Sequence, residues 1–217
     1  MHPRLAVVRD VPAGEPPSRV EQRSPAVLIP VKAFHLAKHR LAAVLDPGTR
    51  QSLARDLASG VVRAAGALPV YVVCDDAEVA AWARSLNATV LWRPGAGLNA
   101  AVTDGVSTLA ALGINEVVVA HADLPLAADL GVVTGFDGIT LVSDRRRDGT
   151  NVLCLPAGSG FTFAYGPGSF ARHRDEASRL GLAVRVLDEP SLAWDIDEPG
   201  DLPPNWSLER PRNERPA

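Results

Sequence analysis

Four polar residues stand where apolar runs stop: Lys32, Asp123, Thr150 and Asp195. Lys32 follows Ala26-Val27-Leu28-Ile29-Pro30-Val31, and Asp123 follows Val117-Val118-Val119-Ala120-His121-Ala122. Runs of this kind, apolar throughout rather than alternating, read as strands buried on both faces. In an open α/β sheet the strand ends share one edge, so these residues can meet although they lie far apart in sequence. Two carboxylates and a lysine at one edge suit phosphoryl chemistry. Hard Mg²⁺ takes a few carboxylate oxygens plus substrate phosphates, and a lysine neutralises a developing anion. Taken singly, an aspartate in such a place is most often a turn or cap residue. The recurrence after buried strands is what favours chemistry.

Gly166-Pro167-Gly168-Ser169 precedes a predicted helix, with Ser169 at or near its N-cap. Free N–H groups and the positive dipole end there could cradle a phosphate or carboxylate; an ordinary Gly-Pro turn with a serine cap is the equal alternative. Gly149-Thr150 offers the same choice between a phosphate-binding hydroxyl and a solvated loop, and Arg145 to Arg147 read as surface charge. Gly95-Ala96-Gly97 lacks the spacing of a dinucleotide loop, and no P-loop motif occurs. His35, His39, His121 and His173 show no metal-ligand spacing, and His121 is expected only to pack or bond locally. Ser169 and His173 lie four apart, but no nucleophile elbow accompanies them, so a serine hydrolase is not supported.

The elements that must position these residues alternate. Strands are expected at 26–31, 70–74, 89–92, 117–122, 139–142, 152–155 and 184–187. Helices are expected after a cap at Asp46 or Thr49 with Leu53, Leu57, Val61 and Val62 inward, and over 77–86, 99–112, 127–135 and 170–180. The alternation predicts one α/β domain over 25–202, a mostly parallel sheet flanked by helices. Residues 1–24 read as a flexible extension and 203–217 as a loose tail.

Of 217 residues, 47% are hydrophobic and 22% charged, ample for a sizeable core. A net charge of −3 gives no support to nucleic-acid binding. No apolar stretch approaches the roughly 20 residues that span a bilayer, and the N-terminus lacks a signal-peptide core. Cys74 and Cys154 both sit in strand-like runs, which favours buried thiols over a disulfide and a cytoplasmic protein.

Seven motifs occur in order: Leu28-Ile29-Pro30-Val31-Lys32, Ala37-Lys38-His39-Arg40-Leu41, Pro94-Gly95-Ala96-Gly97-Leu98-Asn99-Ala100-Ala101, Ala122-Asp123-Leu124-Pro125, Asp148-Gly149-Thr150-Asn151, Tyr165-Gly166-Pro167-Gly168-Ser169-Phe170 and Asp195-Ile196-Asp197. The set resembles the guanylyltransferases of coenzyme F-420 biosynthesis, which act on 2-phospho-L-lactate or phosphoenolpyruvate, over roughly residues 26–202. The resemblance implies a glycosyltransferase-A-like nucleotidyltransferase fold with GTP and Mg²⁺ at one sheet edge. It implies Asp123 and Asp195, with Asp197 nearby, as metal-binding residues. It puts Thr150, Gly166 and Ser169 on the phosphorylated three-carbon acid, and Lys32, Lys38, Arg40 and Asn99 around the nucleotide, with Lys32 and Asp123 serving catalysis. Pro30-Val31-Lys32 stands where broader nucleotidyltransferases carry a glycine-rich first loop, as in this family. His39 departs from the small hydroxyl residue that is commoner there.

The implied chemistry needs no general base. A substrate phosphate is already anionic and attacks the α-phosphorus of GTP; pyrophosphate leaves in line, and the protein positions and neutralises. An actinobacterial-looking composition, high in Ala and Arg, tilts the acid toward phosphoenolpyruvate. 2-Phospho-L-lactate and 3-phosphoglycerate remain alternatives, as do another nucleotidyltransferase of this fold and a non-catalytic nucleotide-binding protein. Pairing with a second copy is left open.

Overall fold

A computed structural model describes residues 24–202. The segments 1–23 and 203–217, and with them nearly all of the expected extension and tail, lie outside the described residues. Seven strands form one sheet: β1 (Pro25–Pro30), β2 (Val70–Cys74), β3 (Thr89–Trp92), β4 (Glu116–Ala120), β5 (Ile139–Ser143), β6 (Thr150–Pro156) and β7 (Val184–Val186). Their order is β3-β2-β1-β4-β6-β5-β7. The helices are α1 (Pro47–Ala64), α2 (Ala77–Ser85), α3 (Leu98–Ala111), α4 (Ser169–Arg179) and the short α5 (Pro190–Ala193).

The apolar runs are explained by layering. Val27, Ile29, Val72 and Val118 form one core with Ala58 and Val61 of α1 and Val79 and Ala83 of α2. Ala26, Leu28, Val73 and Val119 form another with Val102, Val106 and Leu109 of α3. Successive strand residues point to opposite faces, so a sheet covered on both sides has no polar face to alternate with. Each Val, Leu or Ile side chain so buried contributes about 1.5–3 kcal/mol. Gly105 allows α3 its close approach: a Cβ there would lie 2.7 Å from Leu28 Cδ2. Asp46 caps α1 by accepting from the N–H groups of Gly48 and Thr49, ahead of a proline at the first helical position.

The parallel pairing covers β1 with β2 and β4, β2 with β3, and β5 with β7. β6 runs antiparallel between β4 and β5. That reversal matters for the site. Thr150 begins β6 rather than following a strand end, yet Ala120 pairs with Val152 and His121 N–H donates to Asn151 O at 3.0 Å. The start of β6 therefore lies at the edge where β4 finishes.

The helix expected over 127–135 is a single 3-10 turn, Gly131–Val133. Asp129 accepts from Gly131 N–H at 2.7 Å, and Leu130 N–H donates to Ala64 O at the end of α1. These local and tertiary bonds compete with helix propagation, and Gly135 then adopts φ 74°. Other boundaries move by a few residues at most, with β4 ending at Ala120 rather than 122. Among the described residues no helix is long and apolar enough to cross a membrane. Cys74 and Cys154 are both buried.

Candidate active site

Lys32 lies two residues beyond β1 and Asp123 three beyond β4, at one edge of the sheet. The segment after α5 reaches that edge through Ile196 N–H, which donates to Asp123 O at 3.2 Å. Asp195 and Asp197 flank this contact on either side. Asp201, buried and unremarked in the sequence, holds the segment in shape. Its Oδ2 accepts from the N–H groups of Asp197 and Glu198 at 3.0 and 2.8 Å. Its Oδ1 accepts from Arg145 at 2.7 Å, and the Arg145 guanidinium stacks 3.9 Å over Trp194. Arg145 and Arg146 are exposed, as expected of surface charge, but both pair with Asp201. With Asp144, Asp195, Gly200 and Asp201 they line a cleft of about 330 Å³.

Lys38 organises the carboxylates. Its ammonium lies 2.6 Å from Asp123 Oδ2 and 3.4 Å from Asp197 Oδ1, and its side chain is only 8% exposed. Arg40 reaches Asp197 Oδ2 at 3.4 Å from a solvent-exposed position. Lys38 adopts φ 55°, a left-handed conformation costing a non-glycine residue about 1–2 kcal/mol. Such strain persists where the surroundings over-determine it. Burial works against the charge on Lys38, but Asp123 and Asp197 outweigh it and raise its pKa. Burial likewise opposes ionisation of Asp123, yet Lys38, with His121, holds the carboxyl below its ordinary range. Asp195 goes the other way: burial, then the charges of Asp123 and Asp197, push its pKa up.

The cluster thus carries more negative charge than Lys38 balances. Asp123 Oδ1 is also buried and without a hydrogen-bond partner. Both features fit a cation. Among the described residues no group of three or more His, Cys, Asp or Glu is arranged to hold a metal unaided. Mg²⁺ bound by one or two carboxylates and completed by phosphates and water remains compatible with that finding. Lys32 is exposed at the same edge and makes no ion pair among the described residues.

The second group of predicted residues sits on β6 and α4. Ser169 is not the cap: Gly168, at φ 71°, occupies that position without a side-chain cap. The Ser169 hydroxyl instead accepts from Thr150 N–H at 3.0 Å. The expected cradle of free N–H groups is largely closed. Gly168 N–H donates to Asp148 Oδ2, Ser169 N–H to Gly166 O and Phe170 N–H to Asp148 O. Asp148 is therefore the anion already at this helix start, leaving the Gly166 N–H and two hydroxyls as candidate donors.

His173 sets up one of those hydroxyls. Its Nε2 accepts from Ala164 N–H at 3.0 Å, so its Nδ1 carries the proton and donates to Thr150 Oγ1, 3.0 Å away. Burial, then Arg172, lowers the pKa of His173 to about 4, which keeps the ring neutral. Thr150 and Ser169 each accept one bond and retain a proton to give. The spacing of Ser169 and His173 is thus informative. It puts both on the α4 face that meets Thr150, though the histidine serves Thr150 and not Ser169.

The Asn99 side chain bonds within the protein. Its Oδ1 accepts from Tyr165 N–H at 2.7 Å and its Nδ2 lies 3.4 Å from Tyr165 O, tying α3 to the loop before Gly166.

Comparison with known proteins bears on the family and the fold. The family description "Guanylyl transferase CofC like" matches residues 25–204. A phosphoenolpyruvate guanylyltransferase of Rubrobacter xylanophilus is 40% identical over 81% of this chain and 90% of its own. One of Chloroflexus aggregans is 34% identical over 85% and 98%. Among solved structures, a 4-diphosphocytidyl-2C-methyl-D-erythritol synthase superposes with a TM-score of 0.55 at 14% identity, covering 83% of this chain and 95% of that one. A cytidylyltransferase from Leptospira borgpetersenii gives 0.52 at 12% identity, covering 83% and 84%. These structures share the fold, that of nucleotide-diphospho-sugar transferases. With the profile spanning all but one of the described residues, the chain belongs to the guanylyl transferase CofC like family of nucleotidyltransferases.

Proposed function

We propose that this chain transfers GMP from GTP to the phosphate of phosphoenolpyruvate, releasing pyrophosphate, as a step of coenzyme F-420 biosynthesis. The observation that carries the reading is the unpartnered Asp123 Oδ1 within the Lys38–Asp123–Asp197 cluster, at the sheet edge where the Thr150–Ser169 hydroxyl pair also lies. The names of the relatives support the choice of acid.

Asp123 and Asp195 would hold Mg²⁺, which when bound supplies charge neutralisation on the triphosphate. Lys38 steadies Asp123 and Asp197 and, with exposed Lys32 and Arg40, faces the nucleotide phosphates with positive charge. Thr150 and Ser169 give their hydroxyl protons, and Gly166 its N–H, to the phosphorylated acid. His173 keeps the Thr150 hydroxyl oriented as a donor. The nucleophile is a phosphate oxygen that is anionic already, so the protein need only align it with the α-phosphorus. Two buried cysteines in strands support a reducing cytoplasm.

The test is direct. Incubation with GTP, Mg²⁺ and phosphoenolpyruvate should release pyrophosphate, and omission of the acid should abolish it. No release with phosphoenolpyruvate, 2-phospho-L-lactate or 3-phosphoglycerate would overturn the proposal.

A further inference from the structure

Asp201 takes no part in the chemistry above, yet its side chain is only 4% exposed and both carboxylate oxygens are engaged. Oδ1 accepts from Arg145 at 2.7 Å and from Arg146 at 3.5 Å. Oδ2 accepts from the N–H groups of Asp197 and Glu198, and the backbone carbonyl accepts from Trp194 Nε1 at 3.0 Å. The chain from Trp194 to Asp201 is thereby closed on itself. Arg145, from the connection between β5 and β6, clasps it from outside, bonded to Asp201 and stacked over Trp194. On the inner side Ile196 is fully buried among Leu41, Leu45, Leu53 and Leu57. Asp195 and Asp197 flank that anchor, and both are half-buried.

A turn needs a cap, but a serine or asparagine accepts N–H groups without burying a charge. A buried carboxylate is costly unless it is paired and hydrogen-bonded. Burial opposes ionisation of Asp201, but the two N–H groups and both arginines outweigh it and hold the carboxyl below its ordinary range. What the charge adds is stiffness, because charge-assisted bonds are the strong ones. Stiffness matters at this place. Asp123, Asp195 and Asp197 repel one another, and a loose segment would turn its carboxylates out to water. Asp201 fixes the backbone against that repulsion, and the arginines offset its own charge, so the cluster becomes no more negative.

We infer that Asp201, clasped by Arg145, is a positioning residue that holds Asp195 and Asp197 in place for a divalent cation, and so sets how tightly the protein binds it. The inference rests on the proposed metal role of Asp123 and Asp195, and its test separates the two. Mn²⁺ binding is followed by electron paramagnetic resonance, with GTP present and the acid omitted, for the parent, Asp201→Asn and Arg145→Gln. These substitutions change the local charge in opposite senses. Charge alone would weaken Mn²⁺ binding in Asp201→Asn and tighten it in Arg145→Gln. Positioning weakens it in both. The expected loss for Asp201→Asn is about ten- to a hundredfold, the scale seen when the support of a metal ligand is removed. For Arg145→Gln it is smaller, at least about threefold, because Arg146 still reaches Asp201.

A turn that served folding alone would lower Tm and leave Mn²⁺ affinity where it was. The inference is therefore overturned if the parent binds Mn²⁺ and Asp201→Asn binds it equally well. It is equally overturned if Arg145→Gln binds Mn²⁺ as tightly as the parent or more tightly. Should Asp201→Asn fail to fold, Arg145→Gln, altered at an exposed side chain, decides alone. A parent that shows no protein-bound Mn²⁺ with GTP overturns the proposed metal role instead.

Discussion

Replacing Lys38 by methionine keeps the length of the side chain and removes the charge that holds the carboxylates together. The ammonium is 2.6 Å from Asp123 and 3.4 Å from Asp197. At an effective dielectric near 20 these separations give gross attractions of about 6 and about 5 kcal/mol. Desolvation of the buried ammonium opposes both, and Asp197, 43% exposed, is well screened. Breaking a fully buried pair costs about 3–5 kcal/mol; for this partly open one we expect about 2–4 kcal/mol.

The pH dependence carries the sign. In the parent, Asp123 is held below its ordinary 3.8, so it stabilises the fold above that pH and loses the contribution as pH falls through the folded value. Lys38 is raised above 10.5, so its contribution is complete below 10.5 and disappears only as pH rises through the folded value. In Lys38→Met, burial and the neighbouring carboxylates should push Asp123 above 3.8. The variant then regains relative stability as acid neutralises that group. Urea unfolding of both proteins in chelator should show a difference greatest near neutral pH and shrinking on acidification, beginning above pH 3.8. Added Mg²⁺ should stabilise the variant more than the parent. A difference independent of pH, or below about 0.5 kcal/mol at neutrality, where surface pairs fall, would refute the assignment of Lys38 as the countercharge.

Asp123→Asn should lower kcat by at least about a hundredfold, the scale of a lost electrostatic contact in a transition state, while circular dichroism remains that of the parent. Near-normal pyrophosphate release would remove Asp123 from the reaction. His173→Gln should flatten the stability profile between pH 6.5 and 4. In the parent the unfolded chain takes up a proton through 6.5 while the folded ring resists to about 4, a loss approaching about 3 kcal/mol. A parent profile with no loss across that range would contradict the neutral buried ring. Gly138→Ala should lower stability by about 2–4 kcal/mol. Its φ is 149°, and a Cβ would lie 2.3 Å from Ala183 O, which is itself held by the Ile139 N–H. A Tm within about 2 °C of the parent, less than 1 kcal/mol at this size, would count against that packing.

Much was legible from the residues themselves. Runs such as Val117 to Ala120 are apolar because both sheet faces are covered, and that local pattern reports burial wherever it occurs. The edge carrying Lys32 and Asp123 followed from strand ends and alternation, whereas Thr150 reaches it only because β6 runs antiparallel. The helix at 127–135 did not, because Asp129 and the Ala64 carbonyl capture N–H groups that propensity alone would give to a helix. His121 and His173 drew no role because their spacing fits no metal site, while their actual neighbours, Tyr165 and Thr150, are reached only across the fold.

The sequence by itself thus determined the α/β class, the core and the identity of the charged residues near one edge, since each depends on periodicity or composition along the chain. Tertiary structure decided the antiparallel course of β6, the closure of the Gly166–Ser169 loop by Asp148, and the seating of Lys38 on Asp123. Each of these is a pairing between distant segments whose free energy depends on which partner the fold brings to a buried donor or charge, and no local pattern encodes that partner.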